Sequence, residues 1–472
     1  MINEKVLQDV YAYIDANKDN IIQELKDICS IKSISDANSD VKPFGQGCLD
    51  VLHLMLDKGK QHGFETYNYD NYVGGIVLNN QAEDMIGMWA HLDVVPEQDG
   101  WMSDPYQPVE RDGFLFGRGV SDNKSAAIAG LYIQKAFREL QIPMKHNLQL
   151  FLGTSEETGM GDVEHYVNHY PHPKFSFVPD AGFPGACGEF GRVRYHVISK
   201  KKLSNQVKEL HAGNVFNVIP NYAYVVLEDN GLLDTSNIPT EGYTVTKEDN
   251  CIKIEAFGLS RHAAAPDDAI NAIHQLTKVL ATLPGLSKED QEIFTFLTRV
   301  NDDSYGTFFE IDKIDEVSGQ TVSSGTVLRM NDGIVTLTND CRHCVTDTNE
   351  RVIDTVTRVC EQHDFTMEVI EASKPYYLDK NSLPVQTITK AYQDYTNNPE
   401  AEMFVMKGGT YAGQIPNAVA TGVCMKSTQP IPDYIKPGHG SVHQPDEMLP
   451  IDGYVEGIKL LATMILKVDE VL

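Results

Sequence analysis

The sequence predicts an α/β fold, a mostly parallel sheet flanked by helices, interrupted by an inserted α+β domain. Three observations predict it. Apolar runs that end abruptly in polar residues (DMIGMWAHLD, NLQLFLGTSEE, KFSFVPD) alternate with helical patterns in the first 180 residues or so, the rhythm of βαβ units. From about Cys187 to Lys374 the texture changes to alternating strand patterns with fewer helices. After that, SLPVQTITKAYQDY, AVATGV and GYVEGIKLLATMILKV return to the α/β rhythm. The domain boundaries expected are therefore residues 1–186 plus 379–472 for a discontinuous α/β domain, with 187–378 inserted.

Taken in order, the N-terminal pattern VLQDVYAYIDANKDNIIQELKDICSI reads as one amphipathic helix and CLDVLHLMLDKGKQHGF as a second. Strands follow near FETYNYD, GGIVLNN and DMIGMWAH, then the helix KSAAIAGLYIQKAFREL between two of the apolar runs. In the insert, strands are expected at RVRYHVIS, NYAYVVLED, CIKIEAFG, GIVTLTNDCR and FTMEVIEA. Helices are expected there at DDAINAIHQLTKVLATL and NERVIDTVTRVCEQH.

The chain has 472 residues, ample for a large core and more than one domain. Its formal charge of −28 argues against a polyanionic partner, nucleic acid or acidic membrane. The N-terminus has neither a basic n-region nor an apolar h-region, and no apolar stretch reaches membrane-spanning length, so a cytoplasmic protein is expected. Eight scattered cysteines fit free thiols in a reducing compartment. The lone CxxC of Cys341 and Cys344 lies in a strand pattern and reads as ordinary buried thiols.

Five fragments carry candidate metal ligands: His91 in MWAHLDVVP, Asp122 in GRGVSDNKS, Glu156 and Glu157 in GTSEETG, Asp180 in FVPDAGFP and His443 in GHGSVHQPDE. Alone, a His-x-Asp is an ordinary surface or core pair and Glu-Glu a solvated helix start. Together, three of the fragments arrive at the carboxyl ends of predicted strands, where open α/β sheets bind ligands. Two Zn²⁺-like ions about 3.5–4 Å apart need imidazole and carboxylate ligands with positions left open. His91 and His443 supply one nitrogen per ion, Asp122 suits a bridge, and Glu157 and Asp180 complete one ion each. Asp93, two residues on, can orient the His91 imidazole. Glu156, beside a ligand without being one, is placed for a general base.

These motifs resemble the family of dinuclear zinc exopeptidases that includes aminoacylase, acetylornithine deacetylase and carnosinase, and are closest to PepV-type dipeptidases (Xaa-His dipeptidase type). The likeness covers nearly the whole chain, in motif order. It implies a metallo-dipeptidase acting on short peptides, a zinc exopeptidase-type catalytic domain with ligands His91, Asp122, Glu157, Asp180 and His443, and Asp93 and Glu156 in the roles given above. It further implies that the insert is a two-lobed lid supplying its residues in cis, hence a monomer. In HAGNVFNVIPNYA the resemblance assigns Asn217 to substrate contact, in LSRHAAAPDDAINA it assigns His262 to the scissile carbonyl, and in NDCRHCVTD it assigns Arg342 to the substrate's terminal carboxylate. Without it, His262 would read as a helix-start residue and Arg342 as a surface cation. Zn²⁺ is the implied metal, with Mn²⁺ and Co²⁺ also suited to N/O ligands. The chain departs from the family pattern at Asn123, Ser125, Gly182, Phe190 and Gly413, the last standing where GGTYAR is common, which bears on substrate preference. An N-acyl-amino-acid amidohydrolase would need the same metals and carboxylate grip. A non-catalytic binding module would not need Glu156.

Overall fold

The computed structural model describes residues 4–472, which divide into two compact units. The first comprises the chain up to Gly188 with Tyr377–Phe404 and Gly409–Leu472; the second comprises Glu189–Tyr376 with Val405–Gly408.

In the first unit the sheet runs in the order Glu65–Tyr69, Val73–Leu78, Asn147–Gly153, Met85–His91, Phe175–Val178, Ala418–Ala420, Ala186–Glu189. The sheet is mixed. Its four central strands, Asn147–Gly153 to Ala418–Ala420, pair in parallel, while the flanking pairs are antiparallel. The difference from a mostly parallel sheet lies at the edges: the short connection between Glu65–Tyr69 and Val73–Leu78 forces a hairpin, since parallel pairing needs a long crossover, while the other two antiparallel pairs join strands far apart in sequence. The final segment enters this sheet through Ala418–Ala420 beside Phe175–Val178, so residues far apart in sequence share one core.

Composition explains the central helices. Lys124–Glu139 is buried over almost its whole circumference, which suits KSAAIAGLYIQKAF, small and apolar all round. Its one interior amide, Gln134, donates from Nε2 to the strand carbonyls of Ile76 and Leu148, both at 2.9 Å. The C-terminal helix Ile451–Val471 is buried similarly; among the described residues no helix is long and apolar enough to cross a membrane. The N-terminal pattern forms two helices, Glu4–Ala16 and Lys18–Cys29, rather than one. At the break, the Asn17 side chain donates to Tyr13 O at 2.9 Å, a local bond that competes with helix continuation.

The second unit is built on an eight-stranded antiparallel sheet. Its order is Tyr243–Glu248, Cys251–Phe257, Tyr222–Glu228, Val207–Ala212, Val322–Asn331, Ile334–His343, Gly191–Ser199, Phe365–Ser373. Helices Ala272–Leu280, Lys288–Val300 and Asn349–Gln362 cover its apolar face, in a core that includes Val193, Tyr195, Phe294 and Leu337. Strand Val322–Asn331 and helix Lys288–Val300 have weaker patterns in the sequence. The first is interrupted by Ser323, Ser324 and Gly325, all buried, and so lacks clean alternation. All eight cysteines are free thiols, and Cys341 and Cys344 are both buried.

One buried charge ties the metal-ligand fragment GRGVSDNKS to the N-terminal helices. Lys124 is fully buried, and its Nζ donates to Ile28 O at 3.0 Å and Ile31 O at 2.8 Å, at the C-terminal end of helix Lys18–Cys29 where unpaired carbonyls favour a cation. Replacing it by methionine keeps the volume and leaves both carbonyls without this donor. Lys124→Met is expected to destabilise the metal-free protein by about 1–3 kcal/mol, read as a lower urea midpoint at unchanged m-value.

Candidate metal centre

Strand register brings the first ligands together. Met85–His91 and Asn147–Gly153 pair in parallel with His91 opposite Gly153, so the turns that follow, Leu92-Asp93 and Thr154 to Glu157, leave the sheet edge side by side. The strand must end in glycine: a Cβ on Gly153 would lie 2.0 Å from Tyr411 Oη, which donates to Asp162 just below. Asp162 in turn accepts the backbone N–H groups of Thr154 and Ser155, holding the start of the Glu156-Glu157 turn, and burial pushes its carboxyl up to about 6.

Asp93 is fully buried and pins the same turn from the other side. Its Oδ1 accepts from Glu156 N at 3.0 Å and its Oδ2 from Glu157 N at 3.1 Å. This refines the orienting part expected for it. The nearest acceptor of the His91 Nδ1–H is the Asp93 backbone carbonyl at 2.9 Å, with the carboxylate at 3.4 Å. With Nδ1 committed there, Nε2 is the atom His91 offers to a ligand.

His91 Nε2 lies 3.0 Å from Asp122 Oδ1 and 3.8 Å from Asp180 Oδ2; on the other side, His443 Nε2 lies 3.1 Å from both Asp122 Oδ2 and Glu157 Oε1. Asp122 therefore turns one oxygen to each imidazole, with Asp180 on the His91 side and Glu157 on the His443 side. Ligand atoms of His91, Asp122 and Glu157 fall within 4.8 Å of one another, as do those of His91, Glu156 and Asp180. Glu156 thus stands with His91 and Asp180 in one of the two groups that could hold an ion. His443 is reached from a loop, with φ of 64° and its side chain half exposed.

The charges do not balance without a cation. Burial, reinforced by the Asp122 charge, pushes Asp180 up to about 7; burial also raises Glu156 well above the usual carboxylate range, with Asp180 and Glu157 adding to it against the opposing His91. Asp122 is held far below that range despite its burial because both imidazoles bond to it. His443 is raised to about 10 by its bonds to Asp122 and Glu157, and His91 is raised against the pull of burial by Asp122 and Asp93. Two imidazoles and four carboxylates converging on one buried spot are a donor set that divalent metal ions fit.

The departures from the family pattern have identifiable environments. Asn123 is buried, with Nδ2 donating to Pro179 O at 2.8 Å and Asp180 Oδ1 at 2.9 Å while Oδ1 accepts from His91 N at 3.2 Å, so it ties two ligand segments together. Ser125 Oγ donates to Ser121 O in the first helical turn. A Cβ on Gly182 would meet open space. Gly413 closes the short helical turn Tyr411–Gly413. In the second unit Phe190 is buried, with the Lys407 Nζ 5.6 Å from its ring centroid.

The second unit carries the other three candidates. Asn217 directly precedes Val218–Ile219, which pairs antiparallel with Arg261–His262 so that His262 stands opposite Val218, and Asn217 Nδ2 lies 3.5 Å from His262 Nε2. His262 Nδ1 accepts from Ala264 N at 3.1 Å, which leaves the proton on Nε2; partial burial and the Arg342 charge lower its pKa, so the ring is a neutral Nε2–H donor. Arg342 is only 4% exposed. Its Nε donates to Asp340 Oδ1 at 2.9 Å and its Nη1 to Lys407 O. Two supporting residues are given no role by the sequence: Glu447, the last residue of GHGSVHQPDE, which accepts from the Asp122 loop, and Arg329, which holds Ala212 O, Gly213 O and Asn214 Oδ1 in the turn leading to Asn217. Tyr411 could have been suspected, an aromatic within the glycine-rich GGTYAG.

A histidine and carboxylate cluster at the carboxyl edge of a mixed α/β sheet defines a metallohydrolase class of site. The model of Peptidase family M20/M25/M40 matches residues 87–467, and the chain belongs to that family of peptidases. It is 28% identical over 466 residues to Putative dipeptidase YtjP of Bacillus subtilis (strain 168), covering 95% of this chain and 97% of the relative. It is 28% identical over 454 residues to a Putative dipeptidase of Staphylococcus epidermidis, covering 91% and 93%. In fold it is similar to human carnosine dipeptidase 1, with a TM-score of 0.59 at 16% identity over 98% of this chain and 99% of that one. The aminoacylhistidine dipeptidase of Vibrio alginolyticus gives a TM-score of 0.55 at 13% identity over 96% of each chain.

Divalent ions that bind only the folded protein stabilise it, by about 2.7 kcal/mol at a hundred times the dissociation constant. Chelator-stripped protein is expected to melt at higher temperature when Zn²⁺ or Co²⁺ is restored. In Asp93→Asn, which sets an amide against a Glu156 or Glu157 N–H, the ion concentration needed should rise about 10–100-fold.

Proposed function

We propose that the protein is a metal-dependent dipeptidase that hydrolyses short peptides bearing a free C-terminal carboxylate, through a centre of two divalent ions. The observation that carries this reading is Asp122, with one oxygen toward His91 and the other toward His443, each imidazole backed by its own acid, Asp180 or Glu157. His91, Asp122 and Asp180 would hold one ion and His443, Asp122 and Glu157 the other. When bound, the ions, Zn²⁺ by preference with Mn²⁺ or Co²⁺ as alternatives, polarise the peptide carbonyl and make water acidic enough to attack near neutral pH.

The chain's own residues do the rest. Glu156 takes the proton of the attacking water as the C–O bond forms and returns it to the amine nitrogen as the C–N bond breaks. His262, a neutral Nε2–H donor, hydrogen-bonds the carbonyl oxygen as negative charge develops on it. Arg342 receives the terminal carboxylate, its guanidinium plane fixed by Asp340; Asn217 adds a hydrogen bond to the substrate. In this reading the first unit is the catalytic domain and the second the lid. The lid serves its own chain, so the working form is a monomer, in the cytoplasm where its free thiols stay reduced.

Two measurements test the assignment. Glu156→Ala is expected to bind the metal ions as wild type does and to lose roughly 10²–10⁴ in kcat; near-normal turnover at full metal occupancy would remove the base. Wild-type enzyme should strongly prefer free dipeptides over dipeptide amides, and Arg342→Lys should erase much of that preference. Loss of the bidentate grip is expected to cost about 2–5 kcal/mol in kcat/KM for free dipeptides. Equal effects on amides and free dipeptides would make Arg342 structural.

A further inference from the structure

We propose that Glu447 is a positioning residue whose carboxylate locks the loop bearing Asp122 to the loop bearing His443, so that retention of an ion on the His443 side depends on it. The inference rests on the two-ion reading and extends it to a residue outside the ligand set.

Glu447 is fully buried, and four donors saturate its two oxygens. Oε1 accepts from Ser121 N at 2.9 Å and Asp122 N at 3.0 Å; Oε2 accepts from Arg118 Nη1 at 2.7 Å and Gly119 N at 3.2 Å. Its backbone carbonyl takes Gly117 N at 3.0 Å. The segment Gly117 to Asp122 is therefore wrapped around one side chain that comes from more than 300 residues further along the chain. An ion pair with Arg118 alone would use a single oxygen. Three of the four side-chain bonds instead go to backbone amides of the ligand segment, and one of these belongs to Asp122 itself.

The other half of the lock is the short path from Glu447 to His443. Gly440 N donates to Pro445 O at 2.9 Å and Gln444 N to Ser441 O at 3.1 Å; Asp446 Oδ1 accepts from Met102 N at 2.7 Å while its Oδ2 lies 2.6 Å from His439 Nδ1. On the far side, Met448–Pro450 pairs antiparallel with Phe114–Phe116, with Met448 opposite Phe116. The loop carrying His443 is thus braced at both ends, and Glu447 is the point at which it grips the Asp122 segment. His443 reaches its partners from a half-exposed loop, whereas His91 stands on a central strand. Freeing Glu447 should therefore loosen the His443 side and spare the His91 side.

The test uses chelator-stripped full-length protein titrated with Co²⁺, followed by calorimetry and by the d–d absorption of the bound ion. Wild type should take up two ions. Glu447→Gln, which keeps one acceptor oxygen, should keep one tight ion and weaken the other about 10–100-fold; Glu447→Ala should weaken it further. The control is Asp469→Asn. Asp469 is also buried in this unit and accepts from Lys145 N, His146 N and the His146 ring, remote in sequence from every ligand. It should lower the melting temperature and leave both ions bound as in wild type. If Glu447→Ala fails to fold, Glu447→Gln decides. Glu447→Gln binding both ions with wild-type affinity, or losing affinity for both in step with its melting temperature, would overturn the proposal. Wild-type protein that takes up fewer than two ions would overturn the two-ion reading itself.

Discussion

Everything around the candidate centre answers to one constraint, the crowding of buried negative charge at the end of a sheet. Asp93, Asp122, Glu156, Glu157 and Asp180 converge with only two imidazoles among them. Such a set costs free energy unless cations or hydrogen-bond donors meet each oxygen. Backbone amides meet part of the demand: those of Glu156 and Glu157 on Asp93, those of Thr154 and Ser155 on Asp162, and those of Gly119, Ser121 and Asp122 on Glu447. These amides all belong to turns beside ligands, so the bonds that solvate the inner acids also fix the ligand backbone. What remains unbalanced on Asp180 and Glu156 is what a divalent ion would neutralise.

The same logic makes sense of Asn123. A carboxylate there would face the Asp180 oxygen and the Pro179 carbonyl, two acceptors, with no proton to offer. The amide offers Nδ2–H to both and still accepts from His91 N. Asn123 thus leaves fewer charges at this point than a carboxylate would while tying the ligand segments together, and the Ser125 side chain bonds back to Ser121 O in the first helical turn.

The second unit solves a different problem on the polar face of its sheet. Arg192 and Arg194 on one strand lie opposite Arg342 and Asp340 on the next, and Glu371 on the edge strand bonds both Arg192 and Arg194. Three guanidinium groups stand against two carboxylates in this row of cross-strand pairs. The alternation that buries Val193, Tyr195 and Val197 on one side delivers Arg192 and Arg194 to the other.

By itself the sequence determined the fold class and the ligand-bearing fragments, because both are local. Apolar runs ending in His-Leu-Asp, Ser-Glu-Glu and Pro-Asp are visible in a few residues each, and parallel strands necessarily deliver such endings to one edge. The family's motifs carried Asn217, His262 and Arg342, of which pattern alone read His262 as a helix-start residue and Arg342 as a surface cation; the structure buries Arg342 and places His262 in the short strand Arg261–His262, before the helix that begins at Ala272. Tertiary structure alone decided that the edge strands pair antiparallel, that the N-terminal helix breaks at Asn17, that Asn123 is a donor between two ligand segments, and that Glu447 grips the Asp122 loop. Apart from the break at Asn17, which a bond within one helical turn makes, those outcomes depend on which amide finds which acceptor tens to hundreds of residues away, and no local pattern records a hydrogen bond whose partners are brought together only by the packed core.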